Sequence, residues 1–188
     1  MDDTQAISQL KQGDWRGLEA LVSVHQHQAI RAAFLIVQDR MLAEDVVQDA
    51  FLNAARKIGQ LDTGRPFRPW FLRSVVNASI KAARRQQRQV SLNGDYPEEH
   101  TELRDWLTSP DPSPEDIVEV KDLQLAVRLA LEQLTPKQRA AVVMRYYLEM
   151  SGEEMAEEAG STVSAVKWSL YAARERLRKI LRPFKNKP

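Results

Sequence analysis

The 188-residue chain is 43% hydrophobic and 28% charged, with a formal net charge of +1 and no cysteine. This composition supports a folded core and excludes bulk disorder, disulfide bonds and thiolate metal sites, and it fits a reducing cytoplasm. The length fits one long domain or two short ones. The start Met1-Asp2-Asp3-Thr4 is acidic and lacks an apolar stretch, so we expect no signal peptide. No apolar run in the sequence approaches ~18 residues, so we expect no membrane span.

The net charge hides three segments of different sign. Residues 1–90 carry a net charge of +4, residues 91–122 carry −8 and residues 123–188 carry +5. Two basic blocks on either side of an acidic segment indicate polyanionic partners for the blocks. Charges that merely keep the surface solvated explain values of +4 or +5 equally well.

The first block predicts four helices. A short helix over Thr4–Gln12 ends at Gly13, and a second helix runs from about Trp15 to Val37. The third, Leu42–Ile58, has one apolar face, because its apolar residues recur at helical spacing. A fourth helix extends to about Gln89 and begins near Pro69, a residue suited to the first helical position.

Residues 91–114 have the composition of a linker. They contain Asn93-Gly94, four prolines and most of the acidic excess. A chain of this length relaxes to ~25–30 Å and extends to ~80 Å. We therefore expect an amino-terminal domain over 1–90, an acidic Pro-rich linker over 91–114 and a carboxy-terminal domain over 115–188.

The carboxy-terminal block predicts a helix-turn-helix. A helix over 115–134 is followed by two capping boxes, Thr135 with Gln138 and Ser151 with Glu154, each of which begins a helix. Gly160 then ends the short helix that Ser151 begins. A short helix, a glycine turn and a longer helix can dock in a major groove, although an ordinary αα-hairpin has the same pattern. The last helix would expose a set of DNA-contacting side chains: Ser164, Lys167, Trp168, Tyr171 and Arg174.

The fourth helix has a basic face. The side chains that share this face over ~22 Å are Arg73, Asn77, Lys81, Arg84, Arg85 and Arg88. Phe67, Trp70 and Phe71 come just before it, and rings beside cations suit single-stranded nucleic acid, because rings stack on unpaired bases. The alternative is a solvated face above a core of aromatic rings, and for Phe67 or Phe71 alone the core interpretation is stronger.

The third helix leaves a polar, negative face of Glu44, Asp45, Gln48 and Asp49. Asp45 and Asp49 are i, i+4 neighbours, so a catalytic pair of carboxylates is conceivable. No histidine, metal-ligand partner or phosphate-binding loop accompanies them. We therefore expect no enzyme activity, no catalytic residue, no metal and no cofactor.

Three segments, in this order, resemble an extracytoplasmic-function (ECF) sigma factor of bacterial RNA polymerase. The first is Ala43-Glu44-Asp45-Val46-Val47-Gln48-Asp49-Ala50-Phe51. The second is Phe67-Arg68-Pro69-Trp70-Phe71-Leu72-Arg73 with Asn77 and Arg84-Arg85 behind it. The third runs from Leu134-Thr135-Pro136-Lys137-Gln138-Arg139 through Glu153-Glu154-Met155-Ala156 to Val166-Lys167 and Arg174-Glu175-Arg176-Leu177-Arg178.

The resemblance implies an all-α protein of two helical domains that recruits core polymerase to promoters. The first segment would bind the clamp helices of the largest subunit, with a second contact at the polymerase flap. The second segment would recognise and melt the −10 element, and the helix-turn-helix would read the −35 duplex. The acidic linker would either thread the RNA path of the polymerase or act as a plain tether. An anti-sigma factor is a further implied partner, and no membrane insertion is expected.

Four positions depart from the family pattern, namely Val76, Lys81, Trp168 and Ser169. These departures affect which promoter bases the protein would read, and they do not affect its expected role as a sigma factor. The alternative function is a stand-alone helix-turn-helix regulator whose amino-terminal half senses a ligand or dimerises. A protein-interaction adaptor is a third possibility, and it leaves both basic faces without a purpose.

Overall fold

The computed structural model describes residues 2–62, 64–93 and 125–185, without the side chains of 90–93 and 183–185. Over these ranges the protein is helical and has no β-strand, as the sequence predicts. The predicted linker, 91–114, lies outside the described residues except for 91–93, which continue the fourth helix. The first part of the helix predicted over 115–134 also lies outside them, up to residue 124.

Helices α1 (Asp3–Lys11) and α2 (Arg16–Val37) form a closely packed hairpin. Gly13, with a φ of +85°, makes the turn between them. Gly17 lets the two helices cross closely, because a Cβ at this position would collide with the backbone carbonyl oxygen of Ala6. A glycine in the first turn of α2 therefore serves packing rather than helix propensity.

Helix α3 (Arg40–Lys57) begins two residues before the predicted start, because Asp39 caps it. The Asp39 Oδ1 atom accepts the backbone N–H of Leu42 at 2.9 Å. Gln38 adopts a left-handed conformation with a φ of 64° and ends α2, so the chain reverses over two residues. A 3₁₀ turn, Ile58–Gln60, follows α3. The buried face is the apolar face that the sequence predicts: Ala43, Val46, Val47, Ala50, Phe51 and Ala54.

Helix α4 (Phe67–Asn93) begins at Phe67, so the prediction that Pro69 occupies the first helical position is wrong. Pro69 is the third residue, still within the first turn, where its missing N–H would have no intrahelical partner. The rings of Phe67 and Phe71 are fully buried, with centroids 5.2 Å apart, and Phe71 lies 4.2 Å from Phe51. These two phenylalanines are therefore core residues, each contributing about 1.5–3 kcal/mol by burial.

The carboxy-terminal domain begins with α5 (125–132) and α6 (Pro136–Val142), and α6 continues into a π-helical turn, Val143–Tyr147. Helices α7 (Gly152–Glu158) and α8 (Val163–Lys185) follow. Both predicted capping boxes are present, at the starts of α6 and α7. The α-helical part of this segment ends at Val142, and the π-helical turn extends the helical backbone to Tyr147.

Helices α7 and α8 make a helix-turn-helix. Gly160 has a φ of +54°, and Ser161 N–H donates to the carbonyl oxygen of Ala156 at 2.9 Å, which closes the turn. Thr162 Oγ1 accepts the N–H of Ala165 at 3.2 Å and caps α8. The apolar anchors of the two helices are buried, and they are Met155, Ala156, Val166 and Ala173.

The two domains pack against each other through a shared apolar cluster. Ala32 and Ile36 from α2 and Val76 from α4 belong to the amino-terminal domain. The members from the carboxy-terminal domain are Ala140, Ala141, Val143, Met144, Met155, Ala156 and Val166. Several of these side chains are small, so the backbones approach closely. This packing brings α7 beside α4. The sequence analysis predicts two domains joined by a linker and does not predict this contact between them.

Candidate nucleic-acid and protein interfaces

The acidic residues predicted on α3 share its outward face. Asp45, Gln48 and Asp49 are exposed, and Glu44 is partly exposed and paired with Arg40 at 3.0 Å between Oε1 and Nε. The capped start of α3 and its buried apolar side fix this orientation, because residues three and four apart share one face. Glu44, Asp45, Gln48 and Asp49 thus form one solvent-facing surface.

Two apolar residues that the sequence interpretation missed extend this surface. Met41 is 75% exposed and Leu52 is 45% exposed, and they lie on α3 four residues before Asp45 and four residues after Gln48. Because residues four apart share a helix face, the sequence spacing indicates that Met41 and Leu52 lie on the acidic face. Large apolar side chains next to exposed carboxylates are typical of a protein-binding surface, where apolar contacts lie beside charges that fix register.

The basic residues predicted on α4 also share one face of their helix. Arg73, Lys81, Arg85 and Arg88 are exposed, whereas Asn77 and Arg84 are half-buried. Behind them, Val75, Val76, Ser79 and Ala83 are buried against the core. The result is a cationic strip along α4, on a different helix from the acidic face of α3.

Trp70, assigned from sequence to the melting of DNA, lies beside the amino-terminal core. It is half-buried and packs against the amino-terminal core, with its ring centroid 5.8 Å from that of Phe67. The same residue lines a cleft of about 460 Å³ between the two domains. Trp70 therefore contacts the core and also borders the cleft.

Arg73 and Asn77 are held by α7. Arg73 Nη2 donates to the Glu157 carbonyl oxygen at 3.0 Å and Nη1 donates to Glu157 Oε1 at 3.4 Å. Arg73 Nε lies 3.1 Å from Glu158 Oε2, and Asn77 Nδ2 donates to Glu158 Oε1 at 2.7 Å. Two of the seven predicted −10 contacts are thus occupied by carboxylates of the other domain.

Glu158 is the most perturbed carboxyl group at this contact. Its side chain is 3% exposed, and burial raises its pKa from 4.5 to about 7. Arg73 and the Asn77 hydrogen bond lower the pKa, and neighbouring Glu157 raises it, but burial dominates. A carboxylate at this position is therefore energetically costly, and the proximity of Arg73 and Asn77 offsets only part of the cost.

The sequence interpretation missed Glu157 and Glu158. The signal was the spacing of Glu153-Glu154 and Glu157-Glu158, which puts four carboxyl groups on two turns of one short helix. It also missed Tyr147, whose hydroxyl oxygen accepts a hydrogen bond from Arg31 of α2 and whose pKa is raised by burial. Tyr147 thus provides a second polar contact between the domains.

Helix α8 presents its predicted DNA-contacting side chains to solvent. Val166 and Ala173 anchor its inner side, and Ser164, Lys167, Trp168, Tyr171 and Arg174 are exposed. Trp168 is 70% exposed and Tyr171 is 57% exposed, and their rings stack with centroids 5.9 Å apart. Two large stacked rings in water, next to a lysine and an arginine, are a surface suited to thymine methyl groups and phosphates.

In the part of the chain that the structure describes, no three His, Cys, Asp or Glu side chains come together as a metal site. Within the same ranges, no helix is sufficiently long and apolar to cross a bilayer.

A helical domain with a cationic face, packed against a helix-turn-helix with an exposed recognition helix, defines a class of DNA-binding transcription proteins.

Comparisons with known proteins narrow this class. Residues 21–89 match the family model described as Sigma-70 region 2, and residues 124–177 match that described as Sigma-70, region 4. ECF RNA polymerase sigma factor SigW of Bacillus subtilis is 27% identical, covering 94% of this chain and 95% of its own. RNA polymerase sigma factor CnrH of Cupriavidus metallidurans is 30% identical, covering 95% of this chain and 94% of its own. A solved structure of CnrH in complex with the cytosolic domain of CnrY has a TM-score of 0.65 and 25% identity, covering 96% of this chain and 97% of that one.

The chain belongs to the extracytoplasmic-function family of sigma factors, and it is a transcription initiation factor of bacterial RNA polymerase. The resemblance stated from sequence is confirmed. A stand-alone regulator would need a sensor or dimerisation domain in its amino-terminal half, whereas residues 21–89 match sigma-70 region 2. No comparison favours that alternative.

Proposed function

We propose that this sigma factor holds core RNA polymerase through the acidic face of α3 and contacts promoter DNA through α4 and α8. The observation that carries the proposal is the separation of charge in the amino-terminal domain. Acidic side chains face outward on α3 and cationic side chains face outward on α4, while both helices back onto one apolar core. One rigid unit is thereby able to bind a protein on one side and a polyanion on another.

On α3, the polymerase contact consists of Glu44, Asp45, Gln48 and Asp49, placed against the clamp helices of the largest subunit. Exposed Met41 and Leu52 support this assignment, because an acidic face used only for solvation has no need of large apolar side chains. The carboxylates fix the register of the contact and speed the encounter with a basic partner. A second proposed contact with the polymerase lies at the flap.

On α4, the −10 contact consists of Arg73, Lys81, Arg84, Arg85 and Arg88 on the backbone, with Trp70 and Asn77 at the melting edge. The position of Trp70 on the cleft wall supports its place there, because a base released from the duplex gains stacking on an aromatic face. The cationic strip would hold the single strand by its phosphates, which fixes position without reading sequence. Melting and holding are thus assigned to neighbouring residues of one helix.

On α8, the −35 contact consists of Ser164, Lys167, Trp168, Tyr171 and Arg174. Their exposure, and the burial of Val166 and Ala173 behind them, support a recognition helix placed in the major groove. Domain 1–90 thus reads melted DNA, domain 115–188 reads duplex DNA, and 91–114 joins them.

An anti-sigma factor is a further proposed partner. CnrH, 30% identical to this chain, has been solved in complex with the cytosolic domain of CnrY. We assign this protein to the cytoplasm, where it meets polymerase, and a role that acts by binding alone, without a catalytic step.

The polymerase contact is tested by reversing one charge. We expect Asp49→Arg to weaken binding to core polymerase by about tenfold or more, because close charge pairs across interfaces couple strongly. Glu19→Arg is the matched control, since Glu19 is an exposed carboxyl group on α2, away from the acidic face of α3. Fluorescence anisotropy with labelled protein measures both affinities. Equal affinities for the two variants would reject the α3 assignment.

A further inference from the structure

The contact between α7 and α4 is not explained by the proposed function. Arg73 meets three oxygens of α7, which are the Glu157 carbonyl oxygen, Glu157 Oε1 and Glu158 Oε2. Asn77 donates to the fourth, Glu158 Oε1, at 2.7 Å. The carboxyl end of α7 therefore occupies the two residues of the cationic strip that lie nearest to Trp70.

The charge of α7 has no explanation in duplex recognition. Five of the ten residues from Glu149 to Glu158 are glutamates. The first helix of a helix-turn-helix crosses the DNA backbone, where phosphates repel carboxylates. Four of the five glutamates instead line the interdomain cleft together with three arginines of the other domain: Glu149, Glu154, Glu157 and Glu158 with Arg65, Arg68 and Arg73.

We propose that α7 competes with promoter DNA for Arg73 and Asn77, so that the packed arrangement of the two domains is an autoinhibited, closed form. The proposal rests on the proposed role of α4 in −10 binding. Carboxylate oxygens replace phosphate oxygens on the arginine fork, because both are anionic acceptors that a guanidinium binds with two N–H groups. A DNA strand and α7 cannot use Arg73 at the same time. The domains must therefore separate before the −10 strand binds.

The closed form is built to open. Its apolar contact consists largely of small side chains such as Ala32, Val76 and Ala140. The pair between Arg73 and Glu157 is exposed to solvent, so it contributes little stability. The burial of Glu158 opposes closure, as its raised pKa indicates. A partner that binds the separated domains more tightly than the closed ones, as polymerase and promoter DNA would, shifts the population to the open form.

Exchange of one exposed charge tests the competition in the full-length protein. Glu157→Lys removes Glu157 Oε1, one of the three oxygens that Arg73 meets, and places a like charge beside Arg73. Because the Glu157 side chain is 70% exposed, we expect the variant to fold. Glu153→Lys is the control, with the same charge change on an exposed residue of the same helix. The probe for DNA binding is a fluorescein-labelled dT20 single strand. Opening is measured by energy transfer between dyes on cysteines introduced at exposed Gln60 and Lys137, because the chain has none of its own.

We expect Glu157→Lys to lower energy transfer and to bind dT20 about fivefold more tightly than Glu153→Lys, because apparent affinity scales with the open fraction. Unchanged energy transfer, or equal affinities of the two variants, would overturn the competition. The proposed function has a separate readout in the variant Lys81→Glu/Arg85→Glu, which reverses charges further along α4. Undiminished dT20 binding by the double variant would reject α4 as the DNA face. Weakened binding by the double variant, together with equal affinities of Glu157→Lys and Glu153→Lys, would reject the competition alone.

Discussion

The pH response of the interdomain contact is set by Glu158. Its carboxyl group is 3% exposed in the closed form, and burial raises its pKa from 4.5 to about 7, against the lowering effect of Arg73. Glu157, on the same helix, raises the pKa further, and Asn77 lowers it through its hydrogen bond. When the domains separate, the Glu158 carboxyl group meets water and its pKa returns toward 4.5.

The closed form therefore binds up to one more proton than the open form between pH 4.5 and about 7. A carboxyl group with a raised pKa stabilises the closed form fully below pH 4.5, and that contribution is lost as the pH rises through about 7. The equilibrium constant for opening should accordingly rise with pH across this window, by at most about tenfold per pH unit, and then level off. A higher pH ionises Glu158, which strengthens its attraction to Arg73. Opening is nevertheless favoured, because the cost of burying the Glu158 carboxylate exceeds that attraction.

Glu158→Gln removes the titrating proton and retains an oxygen that accepts the Asn77 hydrogen bond. We expect opening of this variant to be independent of pH within the window. Energy transfer between dyes at positions 60 and 137, recorded from about pH 5 to about pH 8, measures both proteins, with Glu153→Gln as the control that should follow the unsubstituted chain. A slope that survives in Glu158→Gln, or a chain that opens on acidification, would refute the reasoning.

Two further predictions concern the core and the recognition helix. Phe71→Ala removes a fully buried ring that stacks on Phe51 and Phe67, so the free energy of unfolding in urea should fall by about 3–5 kcal/mol; a fall below about 1 kcal/mol would remove Phe71 from the core. Lys167→Ala should weaken binding to mixed-sequence duplex DNA and flatten the plot of log K against log salt concentration by about one ion, whereas Lys57→Ala on α3 leaves the slope unchanged. An identical slope for both lysine variants would take Lys167 off the list of phosphate contacts.

Local structure was predictable because its determinants are close together in sequence. The capping boxes at Thr135 and Ser151 are where the sequence places them, since each needs only a partner three residues away. Gly160 adopts the left-handed conformation that ends α7, for the same reason of local geometry. Helix starts at Arg40 and Phe67 were missed by two residues, because Asp39 and the burial of Phe67 extend the helices beyond the first strong apolar pattern.

The packing of one domain on the other was not predictable from local pattern. Val76 has the helical spacing of an ordinary core residue, and nothing near it in sequence indicates that it shares an apolar cluster with Ala140 and Met144. The same holds for the pairing of Arg73 with Glu157, which are 84 residues apart. Sequence identified the charges on each helix, but which opposite charge each one meets depends on how α6 and α7 settle against α2 and α4.

Assignment of the candidate site was predictable to the level of helix faces. The acidic residues of α3, the basic residues of α4 and the exposed residues of α8 each share a face, because helical periodicity alone decides that. Trp70 shows the limit of this reasoning. Periodicity gives the side of α4 on which Trp70 lies. The contact of Trp70 with Phe67 and its position on the cleft wall depend on the tertiary structure.

Reconstituted initiation tests the account most directly. Core RNA polymerase with this protein is given a library of promoter fragments, and transcript start sites are read with and without the protein and with Asp49→Arg. Transcripts that depend on the protein, begin downstream of shared −35 and −10 sequences and disappear with Asp49→Arg are the predicted result. Start sites that ignore the protein, combined with tight binding of the purified chain alone to one duplex sequence, would contradict it.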